Sequence, residues 1–168
     1  MALTVENGNG LSNANAYVSI ADANDYFVNH GNPSTWDSLT DAEKESAIRY
    51  ATYMLDGQWI WAGEVRRVSQ KLGWPRIGGY DSEGRAITET QVPTQVVAAC
   101  CELALLHTET ALNSTYARGG AVKREKIGSL ETEYFEGARP DTHKPIVATI
   151  LQGIGKSRSG ASFNIDRV

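Results

Sequence analysis

Cysteine and histidine are scarce in this chain of 168 residues. Its two cysteines, Cys100 and Cys101, are adjacent. Neighbours on a helix diverge by about 100° and cannot readily bridge each other, so both are predicted to be reduced core residues. The three histidines, His30, His107 and His143, lie far apart, and neither CxxC nor HExxH occurs. No metal site and no cofactor are therefore predicted.

Long apolar runs and an excess of positive charge are also missing. No run approaches the roughly 20 apolar residues of a membrane helix, and no basic-then-apolar leader is visible, so neither a membrane partner nor a secretion signal is predicted. The net charge is −4 and 41% of the residues are hydrophobic. This composition predicts one globular domain and argues against a broadly basic nucleic-acid binder, although a local basic patch stays possible.

Residue patterns typical of catalysis are absent as well. Cys100 lies among apolar residues, which raise a thiol pKa and make it a poor nucleophile. Gly8-Asn9-Gly10 has neither the preceding strand nor the lysine of a phosphate-binding loop. The sequence SRSGAS from Ser157 to Ser162 is not a nucleophile elbow. The sequence therefore predicts that the protein is not an enzyme.

Helix signals are clear in four places. Ser19 is a candidate N-cap of a helix that ends at Gly31. A capping box from Thr40 to Glu43 opens a second helix, which ends near Gly57. Pro93 is placed at the first position of a third, almost wholly apolar helix that runs to about Leu112, and such a helix is expected to be central. Pro145 opens a short last helix.

The predicted fold is mainly α: a small helical bundle with a long loop between helices, one β-hairpin and an extended C-terminal tail. Residues 57–92 show no long periodic segment and form the loop. Alternating residues on either side of Gly128 predict the hairpin at about 121–136. The helical domain covers 1–155, and the tail covers 156–168.

The long loop carries a basic group, Arg66, Arg67, Lys71 and Arg76, beside tryptophans. Aromatic and cationic side chains together can clamp single-stranded DNA, by base stacking and phosphate contact. The alternative interpretation is that the tryptophans fill the core and the arginines lie at its edge, which the acidic net charge favours. The candidate residues for single-strand binding are Trp59, Trp61, Arg66, Arg67, Trp74 and Arg76.

An ordered series of segments resembles one known family. The segments are ANAYVSIADANDYFVNHGN, AIRYATYMLDG, LGWPRIGGYDSEGRAI, VPTQVVAACCELAL and GGAVKREKIGSLETEYFEG. Together they resemble the head–tail connector adaptors of the neck of tailed phages, over roughly residues 11–136. Family members typically have Tyr-Leu-Asp where this chain has Tyr53-Met54-Leu55-Asp56. Similar sequences are also labelled DnaT-like single-stranded DNA-binding proteins, which is the alternative function.

The resemblance implies a structural subunit of the virion neck, assembled in the host cytoplasm. It implies a ring of about twelve copies that matches the symmetry of the portal. The expected partners are the portal protein, neighbouring adaptor subunits and a tail-side neck or tail-completion protein. Genomic double-stranded DNA would pass through the lumen without sequence-specific binding. A scaffold or inhibitor that folds on binding is a third class that the residues leave open.

Two segments are candidate contact surfaces in such an assembly. The alternation of apolar residues in the tail suits strand addition to a partner, and in the adaptors this segment engages the portal. A frayed terminus is the alternative. The predicted portal-binding residues are Phe163, Asn164, Ile165, Arg167 and Val168. The hairpin is expected to face neighbouring subunits or the tail-side ring, through Val122, Lys123, Arg124, Lys126, Glu131, Glu133, Tyr134 and Phe135.

Overall fold

The computed structural model describes residues 2–31, 33–109, 124–127, 130–133 and 145–158. This part of the chain confirms a mainly helical domain. Its five helices are α1 (Ile20–Asn29), α2 (Ser34–Asp37), α3 (Asp41–Gln58), α4 (Thr94–Glu109) and α5 (Pro145–Ile150). Its six strands are β1 (Trp59–Trp61), β2 (Glu64–Val65), β3 (Arg76–Ile77), β4 (Arg124–Ile127), β5 (Leu130–Glu133) and β6 (Gly155–Ser157).

The predicted helix starts are confirmed by their caps. Ser19 Oγ accepts a hydrogen bond from the backbone N–H of Asp22 at the start of α1. At the start of α3, Thr40 Oγ1 accepts from the N–H of Glu43, and the Glu43 carboxylate accepts from the N–H of Thr40 at 2.8 Å. Each cap satisfies backbone donors that have no partner within the helix, which fixes where the helix begins.

Helix α4 lies at the centre of the packing, as its apolar composition predicts. It contacts α1, α2, α3 and α5. Its buried residues pack against a buried stripe of α3. The stripe comprises Ala47, Ile48, Ala51 and Leu55, and the facing residues of α4 include Val96, Cys100, Leu103 and Ala104.

The short helix α2 is a difference from the sequence prediction of a turn at 32–34. The carbonyl oxygen of Pro33 accepts from the N–H groups of Trp36 and Asp37 and so closes one helical turn. This turn inserts the Trp36 ring, which is fully buried, at 4.8 Å from the Phe27 ring. The gain from burying a large aromatic side chain outweighs the weak local preference of so short a segment.

The long loop contains three short strands that the sequence did not predict. Strand β1 pairs antiparallel with β6, with Trp59 opposite Ser157 and Ile60 opposite Lys156. Strands β2 and β3 pair with each other, Val65 opposite Arg76. Segments of two or three residues are too short to show an alternating pattern. Their pairing depends on partners that are distant in sequence.

The predicted hairpin is confirmed, and the structure adds its backbone register. Strands β4 and β5 pair from Arg124 opposite Glu133 to Ile127 opposite Leu130. Four of its candidate contact residues, Val122, Lys123, Tyr134 and Phe135, lie outside the described residues. The same is true of the predicted end of α4 at Leu112, and of residues 159–168 with all the predicted portal contacts. Lys156 and Ser157, which begin the predicted tail, belong to β6.

Candidate nucleic-acid interface

An open cleft of about 340 Å³ lies where β1, the loop residues 70–73 and Arg158, the residue after β6, meet. Three cationic residues, Lys71, Arg76 and Arg158, line it, together with one carboxylate, that of Asp56. We call this surface the cationic cleft. Its remaining lining residues are Trp59, Ile60, Trp61, Val65, Gln70, Leu72 and Gly73.

The three tryptophans that were candidates for base stacking lie in the core. Trp59 and Trp61 are each 8% exposed, and their rings stack at 6.3 Å between centroids. Trp74 is fully buried and meets Trp61 edge-on at 5.9 Å. The structure thus favours the core interpretation for these side chains. Trp59 and Trp61 line the cleft but are too deeply buried to offer an open ring face to a nucleobase.

The Asp56 carboxylate holds the base of the cleft together. Its Oδ1 accepts hydrogen bonds from the Tyr17 hydroxyl at 2.6 Å and from Trp61 Nε1 at 3.1 Å, and its Oδ2 accepts from the N–H of Gly73 at 2.9 Å. A glycine is required at 73, because a Cβ atom there would lie 2.7 Å from both Asp56 Oδ1 and Trp61 Nε1. The carboxylate therefore joins α3, β1 and the loop.

Tyr17 completes this hydrogen-bonded group from the N-terminal segment. Its hydroxyl also accepts from the N–H of Trp74 at 3.2 Å. Burial, and then the neighbouring Asp56 charge, raise the pKa of Tyr17 well above its usual value. Both effects disfavour the phenolate, so Tyr17 stays a neutral donor to Asp56.

Two of the candidate arginines have structural partners. The Arg76 guanidinium donates to the carbonyl oxygens of Ala62, Gly73 and Gly63. Burial lowers the pKa of Arg76. Arg66 Nη1 donates to the carbonyl oxygen of Gly8 at 2.7 Å. Arg76 therefore has three donor groups on the backbone and little capacity left for a phosphate, whereas the single bond of Arg66 ties its loop to the N-terminal segment.

The N-terminal loop that Arg66 contacts is itself organised by a buried carboxylate. Glu6 is 4% exposed, and its Oε1 accepts from the N–H groups of Gly8 and Gly10 while its Oε2 accepts from that of Leu11. These amides are therefore occupied and do not form an anion site. The carbonyl oxygen of Leu11 accepts from the N–H of Lys71 at 3.0 Å, which fixes the backbone at the cleft.

Four exposed cationic residues remain at or beside the cleft. Lys71 and Arg158 line it, and Arg158 also donates through Nε to the carbonyl oxygen of Trp59 at 3.4 Å. Lys156 lies opposite Ile60 in the β1–β6 pair, and Arg67 adjoins Gln70, whose side-chain oxygen accepts from the Arg67 N–H. The sequence candidates for single-strand binding did not include Lys156 and Arg158. Only the pairing of β6 with β1 brings them here, and no local pattern signals that pairing.

Charge is distributed unevenly between this region and the helices. Residues 20–58 carry seven acidic and two basic side chains, whereas residues 59–76 carry four basic and one acidic. The net charge of −4 therefore conceals a local excess of positive charge at the cleft. Electrostatic attraction of an anion depends on such a local field and not only on the total charge.

Neither a membrane-spanning helix nor a metal-binding cluster occurs in the described part of the chain. Among the described residues, none of the helices combines the length and hydrophobicity needed to cross a bilayer. Within the same part of the chain, no group of three or more histidine, cysteine or acidic residues is arranged to hold a metal ion.

The fold and the cleft together define a small, mainly helical protein with a cationic surface. The family described as "Putative DnaT-like ssDNA binding protein" matches residues 1–168, and the chain belongs to that family. No curated protein and no solved structure matches the chain significantly.

Proposed function

We propose that this protein binds single-stranded DNA, mainly through the phosphate backbone, at the cationic cleft. The observation that carries this proposal is the convergence of Lys71 and Arg158 on one open cleft in an otherwise acidic protein. The description of the family names the same activity. Base stacking on Trp59, Trp61 or Trp74 is not part of the proposal, because these rings are buried.

Phosphate contact is the chemistry that the exposed cations support best. Lys71, Lys156, Arg158 and Arg67 are spread over a loop and a strand, as suits a backbone that carries one charge per nucleotide. Arg76 contributes charge but keeps three donor groups on backbone carbonyls, whereas Arg66 keeps one. We expect the exposed cations to determine the affinity and Arg76 to maintain the shape of the cleft.

The test is fluorescence anisotropy with a labelled single-stranded oligonucleotide and the full chain. The double variant Lys71→Ala/Arg158→Ala is expected to lose about tenfold in affinity, since two exposed charge contacts of roughly 0.5–1 kcal/mol each together amount to about the 1.4 kcal/mol of a tenfold change. Arg85→Ala is the matched control, because Arg85 is exposed, pairs with Asp81 and does not line the cleft. Equal affinities for the double variant and the wild type would contradict the proposal.

A second candidate function is the phage neck adaptor that the sequence resembles. Exposed apolar side chains favour it: Val68 is fully exposed, and Val65, Ile77 and Tyr80 are each more than two-fifths exposed. Side chains of this kind suit contact with another protein. In this function, about twelve copies form a ring between the portal and a tail-side neck protein, and duplex DNA passes through the lumen. The protein would then be part of the virion.

The two functions predict different results from one purification. Co-expression with the portal protein, followed by size-exclusion chromatography with light scattering, gives the mass and composition of any assembly. A ring-sized complex with portal and no preference for single strands would favour the adaptor. A protein that stays separate from portal and binds single strands would favour DNA binding.

A further inference from the structure

Charge alone cannot make this protein bind single-stranded DNA more tightly than duplex DNA. Both forms of DNA present phosphates, so Lys71 and Arg158 attract either one. Proteins that select single strands usually stack bases on exposed aromatic rings. In this protein Trp59 and Trp61 expose only 8% of their surface, and Trp74 exposes none. A cleft that admits an unstacked base is a different physical route to the same preference.

The cationic cleft has the size and the chemistry for one nucleotide. Its volume of about 340 Å³ is at the lower end of the roughly 300–1,000 Å³ of small-molecule sites. Ile60 and Val65 give it an apolar wall, and each is 45% exposed. Lys71 and Arg158 supply positive charge in the same cleft. An apolar wall beside a few polar groups is the usual composition of a ligand pocket.

We propose that the cationic cleft binds one nucleotide unit whose base is unstacked. The phosphate lies at Lys71 and Arg158, and the base lies against Ile60 and Val65. This inference rests on the proposed function and adds its ligand. The Asp56 carboxylate is compatible with it, because three hydrogen bonds from the protein already engage that carboxylate.

The first test uses the tryptophan side chains as reporters. The chain has four tryptophans, so an indole N–H spectrum of the full protein should contain four signals. The Trp61 N–H donates to Asp56 at the cleft, whereas the Trp36 N–H donates to Asn24 and serves as the control. Thymidine 5′-monophosphate is expected to shift the Trp61 signal saturably and to leave the Trp36 signal unchanged.

Two simpler probes separate the parts of the nucleotide. Inorganic phosphate and thymidine are each expected to bind at least about tenfold more weakly than the monophosphate, because each makes only one half of the contacts. A Trp61 signal that does not respond to the monophosphate would overturn the inference. Inorganic phosphate binding as tightly as the monophosphate would overturn it too, since the base would then contribute nothing.

The second test fills the apolar wall. Val65→Met adds volume inside the cleft at an exposed strand position, without an aromatic ring on which a base could stack. Val68→Met is the control, because Val68 is fully exposed and does not line the cleft. The ratio of single-strand to duplex affinity is expected to fall at least about fivefold in Val65→Met and to stay unchanged in Val68→Met. Circular dichroism checks that both variants are folded.

The outcomes distinguish this inference from the proposed function. If Val65→Met keeps the wild-type ratio while Lys71→Ala still weakens binding, the nucleotide cleft is wrong and phosphate binding stands. If the wild-type protein binds no single-stranded DNA, both are wrong.

Discussion

The hydroxyl of Tyr17 donates a 2.6 Å hydrogen bond to Oδ1 of Asp56 and accepts one from the N–H of Trp74. It thereby connects the N-terminal segment, α3 and the loop that forms the cleft. Asp56 accepts two further hydrogen bonds from Trp61 and Gly73. The shape of the cationic cleft therefore depends on a buried group contributed by four separate parts of the chain.

Tyr17→Phe is expected to destabilise the protein by about 1.5–3 kcal/mol, because it removes a hydrogen bond to a charged group and leaves the Trp74 N–H without its acceptor. Tyr53→Phe is the control, since Tyr53 is 73% exposed. Loss of the Tyr53 hydroxyl should change the free energy of unfolding by less than about 0.5 kcal/mol. Urea unfolding measures both. Similar small effects for the two variants would show that the Tyr17–Asp56 bond contributes little.

Gly73→Ala is expected to be more disruptive than its small size suggests. The added Cβ would lie 2.7 Å from Asp56 Oδ1 and Trp61 Nε1. Either the loop must shift or the hydrogen bond from Trp61 to Asp56 must break. Gly57→Ala is the control, because Gly57 has open space around it and no positive φ. A substitution at Gly78 would not serve, because the positive φ of Gly78 would strain any other residue. The melting temperature should fall clearly in Gly73→Ala and should change little in Gly57→Ala.

Trp74→Ala is expected to cost roughly 3–5 kcal/mol, the usual range for removing a large buried aromatic side chain. Trp74 is fully buried, in agreement with the interpretation that the tryptophans of the loop fill the core. Trp74→Phe should cost much less, because it keeps most of the apolar volume and removes an indole N–H that has no hydrogen-bond partner in the described part of the chain. A loss below about 1 kcal/mol for Trp74→Ala would contradict this packing role.

Alkaline pH is expected to destabilise the protein. Burial raises the pKa of Cys100 to about 12, whereas an unfolded thiol titrates near about 8.5. The folded state then retains a proton that the unfolded state releases, so this contribution to stability is complete below about pH 8.5 and is lost as the pH rises towards 12. The raised pKa of Tyr17 acts in the same direction above about pH 10.

Urea midpoints measured between pH 8 and pH 10.5 test this pH dependence. Cys100→Ser removes the thiol and keeps a group that can interact with Thr52, whose Oγ1 lies 3.5 Å from Cys100 Sγ. Its stability should fall less steeply with pH than that of the wild type. A wild-type midpoint that does not change over this range would contradict the expected burial effect.

DNA binding is expected to leave most of the tryptophan fluorescence unquenched. The sequence interpretation of single-strand binding required quenching, because it placed bases on the tryptophan rings. The buried positions of Trp59, Trp61 and Trp74 remove that requirement. Anisotropy and intrinsic fluorescence recorded in the same titration separate the two modes. Saturable binding with strong quenching would show that the rings become exposed and stack.

The helices could be predicted because their signals are local. Ser19 and the Thr40–Glu43 box determine where α1 and α3 begin, and each depends only on residues three positions apart. The hairpin of β4 and β5 has the same advantage, since its strands are adjacent in sequence. The short strand β1 could not be predicted, because its partner β6 is almost a hundred residues away in the chain.

The candidate site was only partly visible in the sequence. The basic group beside the tryptophans marked the right region, but residue types do not reveal which donors the backbone already engages. The Arg76 guanidinium donates hydrogen bonds to three backbone carbonyl oxygens, whereas Lys71 is exposed at the cleft. Arg158 becomes part of the site only through the pairing of β6 with β1.

The salt dependence of single-strand affinity tests the central claim most directly. For single strands, the slope of log affinity against log salt is about −0.7 for each phosphate neutralised. The wild type should show a steep linear decline, and Lys71→Ala should reduce the slope by about 0.7, while Arg85→Ala should leave it unchanged. A wild-type affinity that does not vary with salt, or a Lys71→Ala slope equal to that of the wild type, would contradict phosphate binding at the cationic cleft.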